Sequence, residues 1–365
     1  MKVSSDLLNI AFMVLALSLA IFLPFELFLF SYAVLGPLHY LTEIHWLRKR
    51  NYFIELPGNW HWIFIGIALL ATVFPISKLL GLSFGVLEKN NETGFYSGSL
   101  VFAAFIFAAI LLFVRNRIGV LLSAPISIAI AFALMKWIPL HFMALGILLP
   151  TLIHVYLFTL LFMIYGLLKS PSRIGWLAVA LLLLSPVAIY FLELEGLSEE
   201  AGALYNESEM PAVNYIMASI WNSLSGEFPS ASALRKFQVF IAFAYTYHYL
   251  NWFSKTSIIG WKNTLTKRSA LLIGGIWLMA VSLYAYDYKT GFALLFFLSF
   301  LHVFLEFPLN WLTIKSVDTP IFRTVSLNNK FTVYDTKKVY DQVQDPGGIG
   351  LFKGAHEYSR AGSEV

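Results

Sequence analysis

The stretch GFALLFFLSFLHVFLEFPLNWLTI, residues 291–314, decides the fold. A helix needs about 20 apolar residues to cross the hydrocarbon core of a bilayer, and this run supplies them. It also carries two ionisable side chains, His302 and Glu306. Such groups cost at least a few kcal/mol at mid-depth, so by default they mark a functional site. At i and i+4 they share one helix face and can converge on one ligand or ion. A second apolar run, residues 26–47, repeats the arrangement with His39 and Glu43.

Apolar runs of this length recur along the chain. The 365 residues are 58% hydrophobic, 17% aromatic and 13% charged. Soluble domains carry about 25% charged residues, so the composition points to an all-α, polytopic integral membrane helical bundle. The alternating segments of a membrane barrel are absent. About ten transmembrane helices are expected, near 7–23, 26–47, 62–83, 99–114, 118–135, 138–168, 174–194, 235–253, 269–286 and 291–314. The sixth is too long for a straight crossing, so either Pro150 kinks it or part of it tilts. The N-terminal run lacks a small-residue cleavage site and reads as a retained helix.

With both termini inside, the inner short segments hold twelve Arg or Lys and the outer ones six, as the positive-inside rule requires. The acidic segment containing Glu193, Glu195, Glu199, Glu200, Glu207 and Glu209 then lies outside. This divides the chain into a membrane domain, 1–315, with an outer loop at about 195–234, and a cytoplasmic polar tail, 316–365. The loop is expected to form a cap with a short amphipathic helix, and the tail to be partly disordered. We expect an integral protein of a bacterial or archaeal inner (plasma) membrane, in contact with membrane lipids. The sequence leaves its oligomeric state open.

Several chemistries are excluded or left unsupported. Without cysteine there is no disulfide, no thiolate metal site and no cysteine nucleophile. The net charge of +4 is spread over short loops, which argues against nucleic acid as a partner. No Walker A pattern, dinucleotide fingerprint or Gly-x-Ser-x-Gly elbow occurs in a soluble segment.

The eight histidines separate by depth. His356 is in the tail, and His61 and His141 fall near interfaces. His45 lies close to the inner end of its run. The other four sit between mid-bilayer and the inner leaflet. At about 1.5 Å per residue they are roughly 9 Å (His248), 12 Å (His39), 18 Å (His302) and 21 Å (His154) from the inner ends of their helices. A lone histidine there can simply hydrogen-bond across a helix pair. Four at similar depth suggest a shared site, and imidazole with an open position suits iron, copper or zinc. Glu43 and Glu306 would orient imidazoles or ligate directly. Tyr40, Tyr245, Tyr249 and Asn251 lie nearby as candidate substrate-lining residues, and Trp252 as an interface anchor. Tyr249-Leu250-Asn251-Trp252 is weakly echoed by Pro308-Leu309-Asn310-Trp311.

The segment Gly36-Pro37-Leu38-His39-Tyr40-Leu41-Thr42-Glu43 is similar to the G-x-P-H-G-x-x-D segment of the Brp/Blh family of membrane β-carotene dioxygenases. That resemblance implies Fe(II) held by histidines from several helices, and central cleavage of a carotenoid to a retinal-like aldehyde. His39 carries over by motif, with Glu43 in place of Asp. Leu38 replaces Pro and Tyr40 replaces Gly, which adds bulk beside the expected metal. The expected function is thus an iron-dependent membrane oxygenase acting on a long apolar molecule that enters from the lipid. Another transition metal is the alternative to iron. A lipid desaturase or hydroxylase is a second option, although the dense histidine boxes of those enzymes are missing. A His/Glu-based proton- or cation-coupled transporter is the third.

Overall fold

The computed structural model describes residues 5–51, 60–81, 93–114, 116–137, 149–194, 205–206, 208, 210–226, 230–255 and 260–323. His141, His356 and most of the polar tail lie outside them. No strand occurs among the described residues.

The apolar runs become helices because their backbone groups must be satisfied within each segment once water is excluded. Helix α1 spans Ser5–Phe22. Helix α2, Pro24–Phe30, passes through a π-helical turn, Ser31–Leu35, into α3, Gly36–Lys49. Then follow α4 (His61–Leu79), α5 (Thr93–Leu111) and α6 (Arg117–Trp137). A π-helical stretch, Leu149–Phe158, leads into α7, Thr159–Lys169. Of the sixth range read from the sequence, 138–168, the first part to 148 lies outside the described residues, and the π-helical stretch holds both Pro150 and His154. Helix α8 covers Arg173–Phe191 and α9 Met210–Ser225. The last three are α10 (Ala231–Ser254), α11 (Lys267–Tyr286) and α12 (Tyr288–Arg323).

Seven of these helical segments are long and apolar enough to cross a membrane, and two shorter apolar stretches lie at His61–Val73 and Gly98–Leu111. The chain is a helical membrane protein on that ground. The helix α9 falls in the segment expected to form a cap, and its Asn214 donates to Tyr205 Oη and Gln238 Oε1. Helix α12 continues past residue 315, to Arg323.

Burial divides the helices into centre and periphery. In the most apolar window of α12, 56% of residues are buried, against 11% in α11. Helix α12 packs against α3, α4, α5, α7 and α11, while α10 packs against α1, α2 and the π-helical stretch. The peripheral helices α1, α6, α8 and α11 turn large apolar side chains outward, among them Leu121, Leu184 and Leu271. Polar groups are kept within: Asn9, Ser31, His39, Glu43, Gln238 and Asn310 are all buried. A soluble protein shows the opposite pattern.

Two ties bring the basic helix ends onto one face. Ser254 Oγ at the end of α10 donates to Asn9 Oδ1 near the start of α1, at 2.7 Å. His45 near the end of α3 meets the Thr264 carbonyl just before α11, at 3.0 Å. This face therefore holds Arg48, Lys49, Lys255, Lys262 and Lys267.

Candidate metal centre

Four helical segments each place one imidazole in the middle of the bundle. His39 comes from α3, His154 from the π-helical stretch, His248 from α10 and His302 from α12. All four are buried, as are Glu43 and Glu306. The rings form a closed circuit. Successive centroids are 4.7 Å (His39 to His248), 5.0 Å (His248 to His154), 5.1 Å (His154 to His302) and 5.4 Å (His302 to His39) apart. The four histidines grouped by depth are thus brought together.

One hydrogen bond fixes the chemistry of His248. Thr159 Oγ1 lies 2.9 Å from the Val155 carbonyl one turn back, and donates there. Its lone pairs then accept from His248 Nδ1, at 2.7 Å. With the proton on Nδ1, His248 Nε2 carries a lone pair. That nitrogen is 3.1 Å from His39 Nε2. Ligand atoms at right angles around one ion, each about 2.1 Å from it, would sit ~3.0 Å apart.

The carboxylates strengthen the likeness to a ligand set. Glu43 Oε2 is 3.0 Å from His39 Nε2, and Glu306 Oε2 is 3.3 Å from His154 Nδ1. Neither approach has hydrogen-bond alignment, and both oxygens lack a hydrogen-bond partner among the described residues. Both ring nitrogens of His154 lack one as well. Buried polar atoms left this way are costly, and a bound ion or water would satisfy them. One donor atom from each of His39, His154 and His248 lies within 4.8 Å of the other two, and the same holds for His39, Glu43 and His302. The residues therefore fit a transition metal held by imidazole and carboxylate.

Glu306, one turn beyond His302 on α12, reaches across to His154 of the π-helical stretch. His302 is instead held by Tyr40, whose ring stacks on it at 4.0 Å and 21°. Tyr40 Oη is in turn 2.7 Å from Tyr249 Oη. This hydroxyl pair packs against Gly36, where an added Cβ would lie 3.0 Å from Tyr40 Oη and 3.3 Å from Tyr249 Oη. Tyr245 continues the layer, its ring 6.1 Å from Tyr249.

Trp252 is not an interface anchor. It is buried, donates to Thr42 Oγ1 at 3.0 Å and stands edge-on to His39 at 5.4 Å. Thr159 was not among the residues singled out in the sequence. Its only sequence signal is a hydroxyl five residues after His154 within an apolar run.

A cavity of about 460 Å³ adjoins the cluster. His39, Glu43, His248, Glu306 and Asn251 line its inner end, and Trp46, Phe162, Met163, Trp252 and Leu309 its walls. Its rim is polar, with Ser5, Asp6, Lys169, Ser170, Ser172 and Lys255. Of the four residues expected to line a substrate site, Asn251 borders this cavity, while Tyr40, Tyr245 and Tyr249 pack on the other side of the imidazoles. Comparison of the chain with protein-family models, with curated proteins and with solved structures returned no match.

Proposed function

We propose that this protein is a metal-dependent membrane oxygenase acting on a long apolar molecule. The observation that carries this reading is the closed circuit of four imidazoles from four helical segments, with the His248 lone pair facing His39 Nε2 at 3.1 Å. His39, His154, His248 and His302 would hold the ion, with Glu43 and Glu306 as carboxylate partners. The resemblance around His39 favours ferrous iron and a polyene substrate. When bound, the ion would supply dioxygen activation. Glu43 and Glu306 balance its charge and steady His39 and His154. Thr159 holds His248 in the ligating tautomer. Trp46, Trp252 and Met163 keep bulk water from the inner end of the cavity. In the membrane, the reading takes about ten crossings, both termini inside and the basic face toward the cytoplasm.

Elemental analysis of the purified protein tests this directly. About one iron per chain is expected, and His39→Ala should lose both metal and turnover. A full metal complement in that variant would remove His39 from the ligand set.

One feature favours a second reading, a proton-coupled carrier. The cluster lies between a cavity on one side and the Tyr40–Tyr249 hydroxyl pair on the other, an order that suits proton movement. A carrier of that kind would contain no stoichiometric metal, so the same elemental analysis separates the two readings.

A further inference from the structure

The cavity has three zones that differ in chemistry. The rim lies where α1 and α8 begin and α7 and α10 end. There Lys255 and Lys169 are set against a single carboxylate, Asp6. Lys169 also lies over the Tyr165 ring, 5.6 Å from its centre. Lys255 is half-buried one residue beyond α10. The middle zone is apolar, walled by Phe162, Met163, Trp252 and Leu309. At the inner end, beside the imidazoles, Asn251 Oδ1 is buried and has no hydrogen-bond partner among the described residues. Pockets of 300–1,000 Å³ hold small organic ligands, and 460 Å³ lies within that range.

We infer that the cavity takes a single-chain amphiphile with an anionic head, inserted from the basic face. Its carboxylate would meet Lys255 at the rim, and its apolar chain would run between Trp252 and Met163 to the histidines. An ammonium drawn partly out of water is best satisfied by a charge-assisted hydrogen bond to an anion. An apolar cavity wall accepts hydrocarbon more readily than a polar solute. The unpaired Asn251 oxygen would accept from a hydroxyl or water beside the reacting carbons. This inference rests on the oxygenase reading only for what happens at the inner end. It also departs from lateral entry, because the polar rim meets the aqueous face.

The test uses the full chain after removal of metal with a chelator, so its outcome does not depend on the ion. Native mass spectrometry would count bound oleate and, separately, oleyl alcohol, which has the same chain and a neutral head. One oleate per chain is expected, with the alcohol at least about tenfold weaker, the loss typical of one charge-assisted hydrogen bond. Lys255→Met should erase that preference. Gly166→Leu should abolish binding of both probes, since Gly166 lines the cavity and a side chain there points into open space. Equal affinity for acid and alcohol in the unmodified protein would overturn the inference, as would oleate binding that survives Gly166→Leu. Occupancy by an anionic phospholipid in place of oleate would overturn it too. Because the probes are read on metal-free protein, a failure here leaves the iron measurement standing, and a missing iron leaves this one standing.

Discussion

The two sides of the imidazole circuit are built differently. Along the runs of α3, α10 and α12, the tyrosine-side aromatic residues lie before the histidine or next to it, and the cavity-lining residues that follow lie three or more positions beyond it. Tyr32 and Tyr40 come before or beside His39, and Glu43 and Trp46 after it. Tyr245 precedes His248, while Asn251, Trp252 and Lys255 follow. Tyr288 and Phe292 precede His302, and Glu306, Leu309 and Thr313 follow. The tyrosine side is filled: Tyr245 to Tyr32, Tyr32 to Tyr284 and Tyr284 to Tyr288 lie at ring separations of 5.9, 6.3 and 5.3 Å. The other side is open to a chamber. One side thus fixes the rings, and the other leaves room for a guest. That division of labour is what a pre-organised site needs, because ligands hold their geometry only when packing locks their rotamers.

The comparison is most sharply tested at Thr159, which touches the cluster from the cavity side. Thr159→Val keeps the shape and removes the hydroxyl that accepts from His248 Nδ1. Loss of such a supporting bond typically costs about 10–100-fold in metal affinity, and that is the expected drop. Thr159→Ser should restore binding. Competition with a chelator of known affinity measures both. Unchanged affinity in the valine variant would mean that His248 does not ligate through Nε2.

Much of the fold was legible in the sequence because a bilayer imposes a simple rule. The apolar ranges read at 7–23, 174–194 and 269–286 became Ser5–Phe22, Arg173–Phe191 and Lys267–Tyr286. The clustering of His39, His154, His248 and His302 was legible for the same reason, since depth follows from rise per residue. Helix rotation was not. In a membrane bundle both faces of a helix are apolar, so hydropathy does not say which face meets which neighbour. That is why the sequence does not show that Glu306 meets His154, a ring from another segment. It is also why Trp252, whose composition suits an interface, was missed as a buried support for His39. The π winding at Ser31–Leu35 and Leu149–Phe158, next to His39 and around His154, left no trace in spacing rules built on 3.6 residues per turn.

A smaller effect should come from pH at the open side. Burial draws the Lys255 ammonium down to about 8, with Asp6 opposing the shift. A lysine whose value is lowered in the folded protein is charged below that pH and neutral above it. Lys169 on α7 faces the same rim and His248 lies further in on α10, so Lys255 is the rim group that titrates near 8. Oleate affinity should therefore be flat between about pH 6, where its carboxyl group is ionised, and about pH 8, and fall above it, while the affinity for oleyl alcohol stays level. The slope should vanish in Lys255→Met. A slope that persists in that variant would assign it to another group.

The smallest effect is expected on the closed side. Tyr40→Phe removes the hydroxyl that meets Tyr249 at 2.7 Å but keeps the ring that stacks on His302. The net worth of such a hydrogen bond is about 1 kcal/mol, and the Tyr249 hydroxyl left buried adds to the cost only if no water replaces the partner. Stability toward denaturing detergent should fall by that amount, and metal affinity should not move, because the stacking face is intact. Tyr40→Ala removes the ring as well and frees His302, so metal affinity should fall with stability. If Tyr40→Phe alone weakens the metal, the tyrosine side does more than hold the rings in place. Its hydroxyls would then belong to the site's chemistry, as the proton-carrier reading requires.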